Sequence, residues 1–253
     1  MRGLHDKRVL ITGAGSGIGR AIARRLHEEG CIVGILDVDE AGGLETVASF
    51  GEDARAAVYG TDISDYAQVE EAVNAFESRF GAPQLLVNNA GWDRAMPFLD
   101  TDSAFREKVI AINLFGPINV QHVVLGRMRS EGFGRVVTIA SDAGRVGSSG
   151  EAVYSACKGG VIALTKSLAR ELVRDGITLN AICPGPTDTP ILQSFLETPG
   201  GDKIYEGLKR AIPMRRLGEP EDYPGVVAFF LSDDAGYMTG QTLSVSGGLT
   251  MHG

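Results

Sequence analysis

Short apolar runs recur along the chain and alternate with longer segments in which apolar residues are spaced three or four apart. In one such segment Val69, Val73 and Phe76 fall on the same face of a helix, which is typical of a helix packed on a core. Such alternation predicts parallel strands joined by right-handed crossovers. We therefore expect an α/β fold, a doubly wound parallel sheet flanked by helices on both faces, in a single domain over residues 1–253. The runs predicted as strands are 8–11, 32–36, 54–59, 85–87, 136–140, 178–182 and 242–245.

A glycine-rich turn follows the first predicted strand. Residues 12–19 read TGAGSGIG, and a helical pattern follows them directly. Glycines let the backbone approach a pyrophosphate closely, while a helix amino terminus offers unpaired N–H groups and the positive end of its dipole. This order of strand, turn and helix predicts a Rossmann-type dinucleotide site, although the spacing is wider than the G-x-G-x-x-G fingerprint. The residues assigned to this turn are Gly13, Ser16, Gly17, Ile18 and Gly19.

An acidic residue ends the second predicted strand. Asp37 follows the glycine turn by about twenty residues, where a carboxylate can accept hydrogen bonds from both adenosine ribose hydroxyls and would repel a 2′-phosphate. No Arg or Lys lies in the turn or directly after Asp37, so we expect NAD rather than NADP as cofactor. The alternative is that Asp37 merely caps the next helix, a role that Asp39 can take instead. Asp62 and Ile63 follow the third strand, where an adenine ring could lie.

A tyrosine and a lysine lie one helical turn apart after the fifth predicted strand. Tyr154 and Lys158 share one face of a helix, and Ser141 stands at the carboxyl end of the strand before it. A phenol ordinarily titrates near pH ~10, and a nearby ammonium favours the phenolate and lowers that pKa. We therefore expect a proton-transfer site in which Ser141 hydrogen-bonds a substrate oxygen. Because this spacing also occurs by chance, the pair gains its weight from the other motifs.

In their order and intervals these motifs resemble those of the short-chain dehydrogenase/reductase family. The resemblance covers essentially the whole chain and is carried by 12–19, 88–91, Asn113, Ser141, Tyr154, Lys158 and 184–185. It implies that Tyr154 is the general acid/base and that Lys158 lowers its pKa and binds the nicotinamide ribose. It also implies that Ser141 orients the substrate oxygen and that Asn113 holds a water in a proton relay. Further cofactor contacts implied by the resemblance are Asn89, Ala90, Gly91, Pro184, Gly185, Thr187 and Thr189.

Less generic stretches narrow the resemblance within the family. Residues 89–93, 141–151, 183–189 and 244–251 are similar to members that oxidise 2-hydroxycyclohexanecarboxyl-CoA, a cyclic hydroxyacyl thioester, to its keto thioester with NAD. The resemblance thus implies oxidation of a secondary alcohol on such a thioester. Because the carboxyl-terminal ends of family members pack between subunits, it also implies a homotetramer.

Residues 189–217 are predicted to form a flap over the substrate. Basic residues in it could contact CoA phosphates, although a solvated surface helix explains them as readily. Trp92 is expected at the mouth of the pocket, the alternative being plain packing, and Arg145 is a candidate contact for the thioester or its pantetheine. The basic residues of the flap are Lys203, Lys209, Arg210, Arg215 and Arg216.

Composition and charge exclude several other classes of protein. The 253 residues are 43% hydrophobic with a net charge of −8 and no Lys/Arg run, which argues against nucleic acid or an anionic membrane as partner. The apolar stretches look strand-length, shorter than the ~20 residues of a membrane helix, and residues 1–7 carry no signal-peptide pattern. The 3 cysteines lie far apart and the 4 histidines form no cluster, so we expect no metal site. We expect a soluble, cytoplasmic protein.

Two other functions fit parts of this pattern. The first is a NADPH-linked 3-oxoacyl-thioester reductase of the same family, which Asp37 disfavours. The second is a dinucleotide-binding sensor without catalysis, which the complete set of Asn113, Ser141, Tyr154 and Lys158 disfavours.

Overall fold

Within the residues that the structure describes, seven strands form one parallel sheet. The structure is a computed structural model and describes residues 1–52, 54–189, 192–193 and 201–251. The strand order is β3-β2-β1-β4-β5-β6-β7, so the order reverses between β1 and β4. This is the Rossmann-type doubly wound sheet predicted from the sequence. The strands are β1 Arg8–Thr12, β2 Ile32–Asp37, β3 Ala56–Gly60, β4 Leu85–Asn88, β5 Gly134–Ile139, β6 Ile177–Pro184 and β7 Thr242–Val245.

Helices cover both faces of the sheet. Their starts follow from capping residues: Asp65, for example, accepts from the backbone N–H groups of Ala67 and Gln68 at the start of α3. Asn113 lies in a π-helical turn, Ala111–Phe115, between α4 and α5. The α-helices are α1 Gly17–Glu28, α2 Glu40–Ala48, α3 Tyr66–Phe80, α4 Ser103–Ile110, α5 Gly116–Glu131, α6 Ala143–Val146, α7 Ala152–Leu172, α8 Gly201–Ala211 and α9 Pro224–Leu231.

The core lies in two layers, one on each face of the sheet. Successive strand residues point to opposite faces, so Ile11 of β1 packs with Ile22 of α1, while Leu10 packs with Phe76 of α3 and Val120 of α5. All five side chains are fully buried. Each such burial contributes roughly 1.5–3 kcal/mol. Because both faces are covered, the strands read as continuous apolar runs, as parallel strands do.

One helical stretch is more apolar than the sequence analysis anticipated. Ser103–Glu131 is 29 residues long, and its most apolar window of 18 residues has a mean hydropathy of 1.5, long and apolar enough by composition to cross a membrane. Half of its most apolar window is buried inside the fold, and its Val120, Val124 and Met128 belong to the core beside the sheet. A core helix of a soluble fold has these properties.

Two short helical turns precede longer helices. The one-turn helix α6 lies in the connection between β5 and α7, and a 3-10 turn, Pro220–Asp222, lies directly before α9. Glu219 and Asp222 close a capping box there, and Pro224 then starts α9 afresh, because proline is accommodated in a first helical turn.

Candidate active site

A cleft of about 1380 Å³ lies at the carboxyl ends of the strands. Parallel α/β sheets bind ligands there, at the point where the strand order reverses. Apart from the basic residues of the predicted flap, all but two of the residues predicted from the sequence for catalysis, cofactor or substrate line this cleft. The two exceptions are Asn113 and Arg145.

The glycine turn is shaped to receive a dinucleotide. Gly13 and Gly17 have φ of 66° and 50°, which favours glycine, and a Cβ on Gly13 would lie 2.6 Å from the Ala90 Cα. A Cβ on Gly19 would collide with the Gly13 carbonyl. Ser16, the residue before α1, has an extended backbone, and its side chain makes no capping hydrogen bond. The first backbone N–H groups of α1 therefore face the cleft without a side-chain acceptor. The turn therefore fits a pyrophosphate at the helix amino terminus.

Asn89 and Thr12 hold the turn against the end of β4. The Asn89 amide donates to the carbonyls of Thr12 and Gly13, at 3.1 and 2.7 Å. The Thr12 hydroxyl accepts from the backbone N–H groups of Asn89 and Ala90, both at 3.0 Å. Thr12 was not assigned a role from the sequence beyond its place in the motif. Its partners follow β4, more than 70 residues later in the chain, so this contact could not be read from the spacing of the motif.

Asp37 does not cap the following helix. Asp39 is the N-cap of α2 and accepts from the Gly42 N–H at 3.1 Å. The Asp37 Oδ2 atom accepts from the Gly15 N–H at 2.7 Å, and its Oδ1 accepts from the Asp39 N–H at 3.0 Å. Its carboxyl group therefore stands inside the cleft, tied to the glycine turn. The capping alternative for Asp37 was wrong.

Arg20 is a part of the turn that sequence reasoning missed. It follows Gly19 directly, and its guanidinium reaches back to donate to the Gly15 carbonyl. It also donates to Thr46 Oγ1 at 2.9 Å and to Glu45 Oε2 at 3.1 Å on α2. Arg20 thus ties the turn to α2, and its charge is met by Glu45. The sequence signal for this contact was an arginine in the first turn of α1, from which a long side chain can reach back to the glycine turn.

Tyr154, Lys158 and Ser141 meet on the other half of the cleft. The Lys158 Nζ atom lies 5.4 Å from the centroid of the Tyr154 ring and donates to the Ile139 carbonyl at 3.0 Å. The Ser141 hydroxyl lies close enough to the phenol to lower the pKa of Tyr154 by hydrogen bonding. β5 and α7 therefore bring together the three groups that proton transfer at an alcohol requires.

The pKa of Tyr154 is opposite in direction to the sequence prediction. Burial raises it, and the negative charges of Glu151 and Asp93 raise it further, with only Ser141 opposing them. Burial also lowers the pKa of Lys158 to about 8. The prediction that Lys158 lowers the phenol pKa is therefore wrong for the protein by itself, because desolvation disfavours both charged forms in the same pocket.

Asn113 lies behind the cleft rather than on its wall. It is fully buried, and its amide donates to the carbonyls of Trp92 at 2.6 Å and Val109 at 2.9 Å. Its Oδ1 accepts from the Trp92 N–H at 3.2 Å. The side chain thus fixes the loop after β4. It lies in a π-turn, a feature frequent at functional sites, and the predicted water relay through Asn113 stays a prediction.

Trp92 lines the mouth of the cleft as predicted. Its ring packs edge-on against Phe105, with centroids 5.8 Å apart, and Lys108 places its Nζ 4.0 Å from the ring centroid. Lys108 also lines the cleft and was missed, because nothing in the spacing of α4 marks it. The substrate end thus combines an aromatic wall with a cation.

Arg145 points away from the cleft. Its guanidinium donates to Ser244 Oγ at 3.0 Å and the Thr242 carbonyl at 3.4 Å, both on β7. Its neighbour Val146 lines the cleft instead, because one turn of α6 presents adjacent residues in different directions. These bonds hold the guanidinium at β7, and the thioester or pantetheine contact of Arg145 stays a prediction.

The predicted flap is partly described. Leu192 and Leu208 line the cleft, so this segment does border it, whereas 190–191 and 194–200 lie outside the described residues. Arg215 donates to the Arg210 carbonyl at 2.7 Å, and Arg216 pairs with Asp222 at 2.6 Å. None of the five basic residues of the segment lines the cleft. Contact with CoA phosphates remains a prediction.

Possible metal ligands do not cluster in the part of the chain that the structure describes. No group of three or more His, Cys, Asp and Glu there is arranged to hold an ion. Cys31, Cys157 and Cys183 are free and buried. Burial raises the pKa of Cys157, which makes its thiolate, the nucleophilic form, scarce at neutral pH.

Comparison with known protein families identifies the family to which the chain belongs. The family model described as "Enoyl-(Acyl carrier protein) reductase" matches residues 13–250. The chain belongs to the short-chain dehydrogenase/reductase family. It is therefore an oxidoreductase acting on CH–OH groups, and its family binds a nicotinamide dinucleotide.

Curated relatives match the enzyme over nearly its whole length. An acetoacetyl-CoA reductase of Rhizobium meliloti is 39% identical over 94% of this chain and 96% of its own. A (3R)-3-hydroxyacyl-CoA dehydrogenase of Rattus norvegicus is 38% identical over 98% of both chains. The similarity therefore extends over nearly the whole of each of these relatives.

Solved structures share the fold closely. Levodione reductase has a TM-score of 0.93 and 38% identity, covering 96% of this chain and 97% of its own. The 3-ketoacyl-(acyl-carrier-protein) reductase of Brucella melitensis, solved with NADH, has a TM-score of 0.91 and 31% identity, covering 98% and 100%. The sheet described above is thus the family's sheet.

Proposed function

We propose that the enzyme oxidises the secondary alcohol of a cyclic hydroxyacyl-CoA, of the 2-hydroxycyclohexanecarboxyl-CoA type, to its keto thioester with NAD. The observation that carries the proposal is a single cleft lined at one end by the glycine turn and Asp37 and at the other by Ser141, Tyr154 and Lys158. A dinucleotide laid from one end to the other brings its nicotinamide beside the phenol.

The protein's part in the reaction is positioning and proton transfer. Bound NAD supplies the hydride acceptor. Tyr154 takes the hydroxyl proton through its phenolate oxygen, and Ser141 holds the substrate oxygen beside it. Lys158, close under the ring of Tyr154, holds the nicotinamide ribose in this proposal. Thr187, Thr189, Pro184 and Gly185 border the same end of the cleft and would shape the nicotinamide pocket.

NAD is favoured over NADP by the charges at the adenosine end. The Asp37 carboxylate stands in the cleft, and a 2′-phosphate beside it would be repelled. Among the described residues lining the cleft, the basic ones are Lys108 and Lys158, which belong to the substrate and nicotinamide end. Arg20 is engaged with Gly15 and Glu45. No free cation there is placed to offset the repulsion.

The substrate class follows from the names of the relatives and from the cleft wall. Acetoacetyl-CoA reductase and 3-hydroxyacyl-CoA dehydrogenase both name thioesters with oxygen on the carbon β to the thioester carbonyl, and so does the proposed cyclic substrate. The ring itself is proposed from the segments at 89–93, 141–151 and 183–189. Apolar Val146, Leu192 and Leu208 in the cleft suit an alicyclic ring.

The test is NADH formation from cyclic and linear hydroxyacyl-CoA thioesters, with the free acids as controls. We expect the cyclic thioester to have the highest kcat/KM and the free acids to be poor. Preference for linear thioesters would reject the ring and retain the class. Absence of turnover with every thioester would reject the proposed function.

A second candidate is reduction of a 3-oxoacyl thioester. The acetoacetyl-CoA reductase and 3-ketoacyl-(acyl-carrier-protein) reductase relatives favour it. The direction is separated by initial rates with NAD, NADP, NADH and NADPH. A clear preference for NADPH would favour this reductase. The sensor alternative loses ground because the chain is an oxidoreductase with all four catalytic positions present.

We also propose that the enzyme is a cytoplasmic homotetramer acting on a small molecule rather than on nucleic acid or at a membrane. The support is family membership and the acidic charge of −8. Light scattering of the purified protein measures the assembly, and a mass near four chains of 26.8 kDa is expected.

A further inference from the structure

A buried carboxyl group lies behind the catalytic tyrosine. Asp93 follows the NNAG segment after β4 and is only 6% exposed. It does not line the large cleft but a second cavity of about 10 Å³, which it shares with Glu151 and Tyr154. Tyr154 borders both spaces, as does Glu151.

The carboxyl group of Asp93 is poorly solvated. Its Oδ2 atom is buried and has no hydrogen-bond partner. Burial raises the pKa of Asp93 to about 6, the charge of Glu151 raises it too, and the Arg94 backbone N–H lowers it. A carboxyl group so placed changes charge within the pH range in which most enzymes work. Buried polar atoms without partners are uncommon in proteins, and this one adjoins the catalytic group.

We propose that Asp93 is a positioning residue whose charge state sets the pH range over which Tyr154 can act as a base. The negative carboxylate opposes formation of the phenolate across the shared cavity, while the neutral carboxyl group does not. The inference depends on the general-base role of Tyr154 in the proposed function, but not on the identity of the alcohol.

The surroundings of Asp93 leave Tyr154 as its main responsive neighbour. Glu151, which precedes α7, and Tyr154 of α7 line the same cavity, and the Asp93 charge raises the pKa of Tyr154 and of Cys157, also on α7. The other described residues that line the cavity bear no charge; they are Met96, Phe98, Thr101, Phe105, Gly150, Ala152 and Val153. Lys158 donates instead to the Ile139 carbonyl.

This arrangement predicts a particular shape for the pH profile. Below about pH 6 Asp93 is neutral, so the activity of the wild type rises with pH as for an isolated phenol. Above it the carboxylate appears and holds the phenol protonated, so the profile flattens before it rises again. Two coupled groups titrate in this way as a pair.

The test is the pH dependence of kcat/KM for Asp93→Asn, measured between pH 5 and 10 on any secondary alcohol that the enzyme oxidises. We expect equal rates below about pH 6 and a rate roughly 3- to 10-fold above wild type near pH 8, corresponding to a shift of about 0.5 to 1 unit for charges several ångströms apart. Asp175→Asn is the matched control, because its carboxylate lies beyond the end of α7, where it pairs with Arg129 of α5. Profiles that coincide for wild type and Asp93→Asn would overturn the inference.

Two further measurements keep the inference testable if Asp93→Asn does not fold. Carboxyl ¹³C NMR of the wild type should show one aspartate titrating near pH 6, and a Glu151→Gln variant should move that midpoint lower. An aspartate set that titrates entirely near pH 4 would overturn the inference. Failure of every thioester substrate would reject the proposed function alone, since the profile can be run on another alcohol.

Discussion

At the scale of single residues, the site depends on groups whose charged forms are disfavoured by burial. Tyr154 and Lys158 share a face of α7. The pKa of Tyr154 is raised and that of Lys158 is lowered, and both shifts favour the neutral form of the side chain. With a pKa of about 8, Lys158 is still mostly protonated at neutral pH, but Tyr154 also keeps its proton there because burial raises its pKa. The ionised pair therefore depends on what else enters the cleft, and this couples chemistry to ligand binding.

Replacing Tyr154 by Phe should abolish proton transfer and leave binding intact. We expect kcat to fall by roughly 10²- to 10⁴-fold, the contribution of a positioned acid/base, with the NAD dissociation constant unchanged within about two-fold. Quenching of Trp92 fluorescence by NAD measures binding separately from turnover. Tyr237→Phe is the control, since Tyr237 is fully exposed. An unchanged kcat in Tyr154→Phe would remove the tyrosine from the mechanism.

Replacing Lys158 by Met should change how stability depends on pH. The pKa of Lys158 is lowered to about 8 by burial, so between about pH 8 and its ordinary 10.4 the unfolded chain binds more protons than the folded one. The lysine therefore costs the fold up to about 3 kcal/mol below pH 8, and this cost vanishes as pH rises.

Urea unfolding at pH 7, 8.5 and 10 measures this effect for wild type and Lys158→Met. The free energy of unfolding of Lys158→Met, relative to that of the wild type, should decrease as pH rises. Loss of the bond to the Ile139 carbonyl adds a term that does not depend on pH, so the slope is the readout. Lys166→Met, an exposed lysine on the same helix, should show no slope. Parallel pH curves for wild type and Lys158→Met would mean that Lys158 is not desolvated.

At the scale of elements, the glycine turn is held where β1, α1, α2 and β4 meet. The Asn89 side chain donates to the Gly13 carbonyl, and the Arg20 side chain donates to the Gly15 carbonyl. The turn is thus held by hydrogen bonds to its own carbonyl groups, which an added side chain would disturb. Its glycines are required because neighbouring atoms approach them closely, in addition to their conformational freedom.

Replacing Gly19 by Ala should weaken cofactor binding more than it weakens the fold. The new Cβ would collide with the Gly13 carbonyl and the Asn89 amide, so the turn must shift. We expect the KM for NAD to rise by about tenfold or more, since ~1.4 kcal/mol of displaced contact is already tenfold. Gly126→Ala in α5 is the control, because a Cβ there meets nothing within 4 Å and alanine favours helix. A KM equal to wild type would show that the turn adapts.

At the scale of the whole molecule, the sheet places the two ends of the cleft on different strands. Asp37 ends β2, while Ser141 follows β5 and Thr187 follows β6. A ligand that spans these strands joins halves of the sheet that are far apart in sequence. Binding should therefore stabilise the molecule as a unit.

NAD should raise the midpoint of thermal unfolding more than NADP. At about 100 times its dissociation constant a ligand adds about 2.7 kcal/mol, which for a chain of this size corresponds to roughly 5–10 °C. Differential scanning fluorimetry at equal NAD and NADP concentrations measures the difference. In Asp37→Ala the two shifts should converge, because the repelling carboxylate is gone. Equal shifts in the wild type would contradict the assignment of NAD.

The sequence by itself determined the sheet, the glycine turn and the Tyr154–Lys158 pair. These follow from short-range rules: apolar runs, glycine where the backbone must turn, and residues four apart on a helix. It also ranked Asp39 as an alternative cap, and the structure assigned Asp39 that role.

Only the tertiary structure decided which way the long side chains point and how far each site residue is desolvated. Arg145 reaches β7 rather than the cleft, Arg20 folds back on the turn, and Lys108 lies on Trp92. Burial raises the pKa of Tyr154, which is opposite to the shift expected from the sequence. The fold also places Asp93 in a cavity that this tyrosine borders. Orientation and desolvation depend on neighbours distant in the chain, which local patterns do not specify.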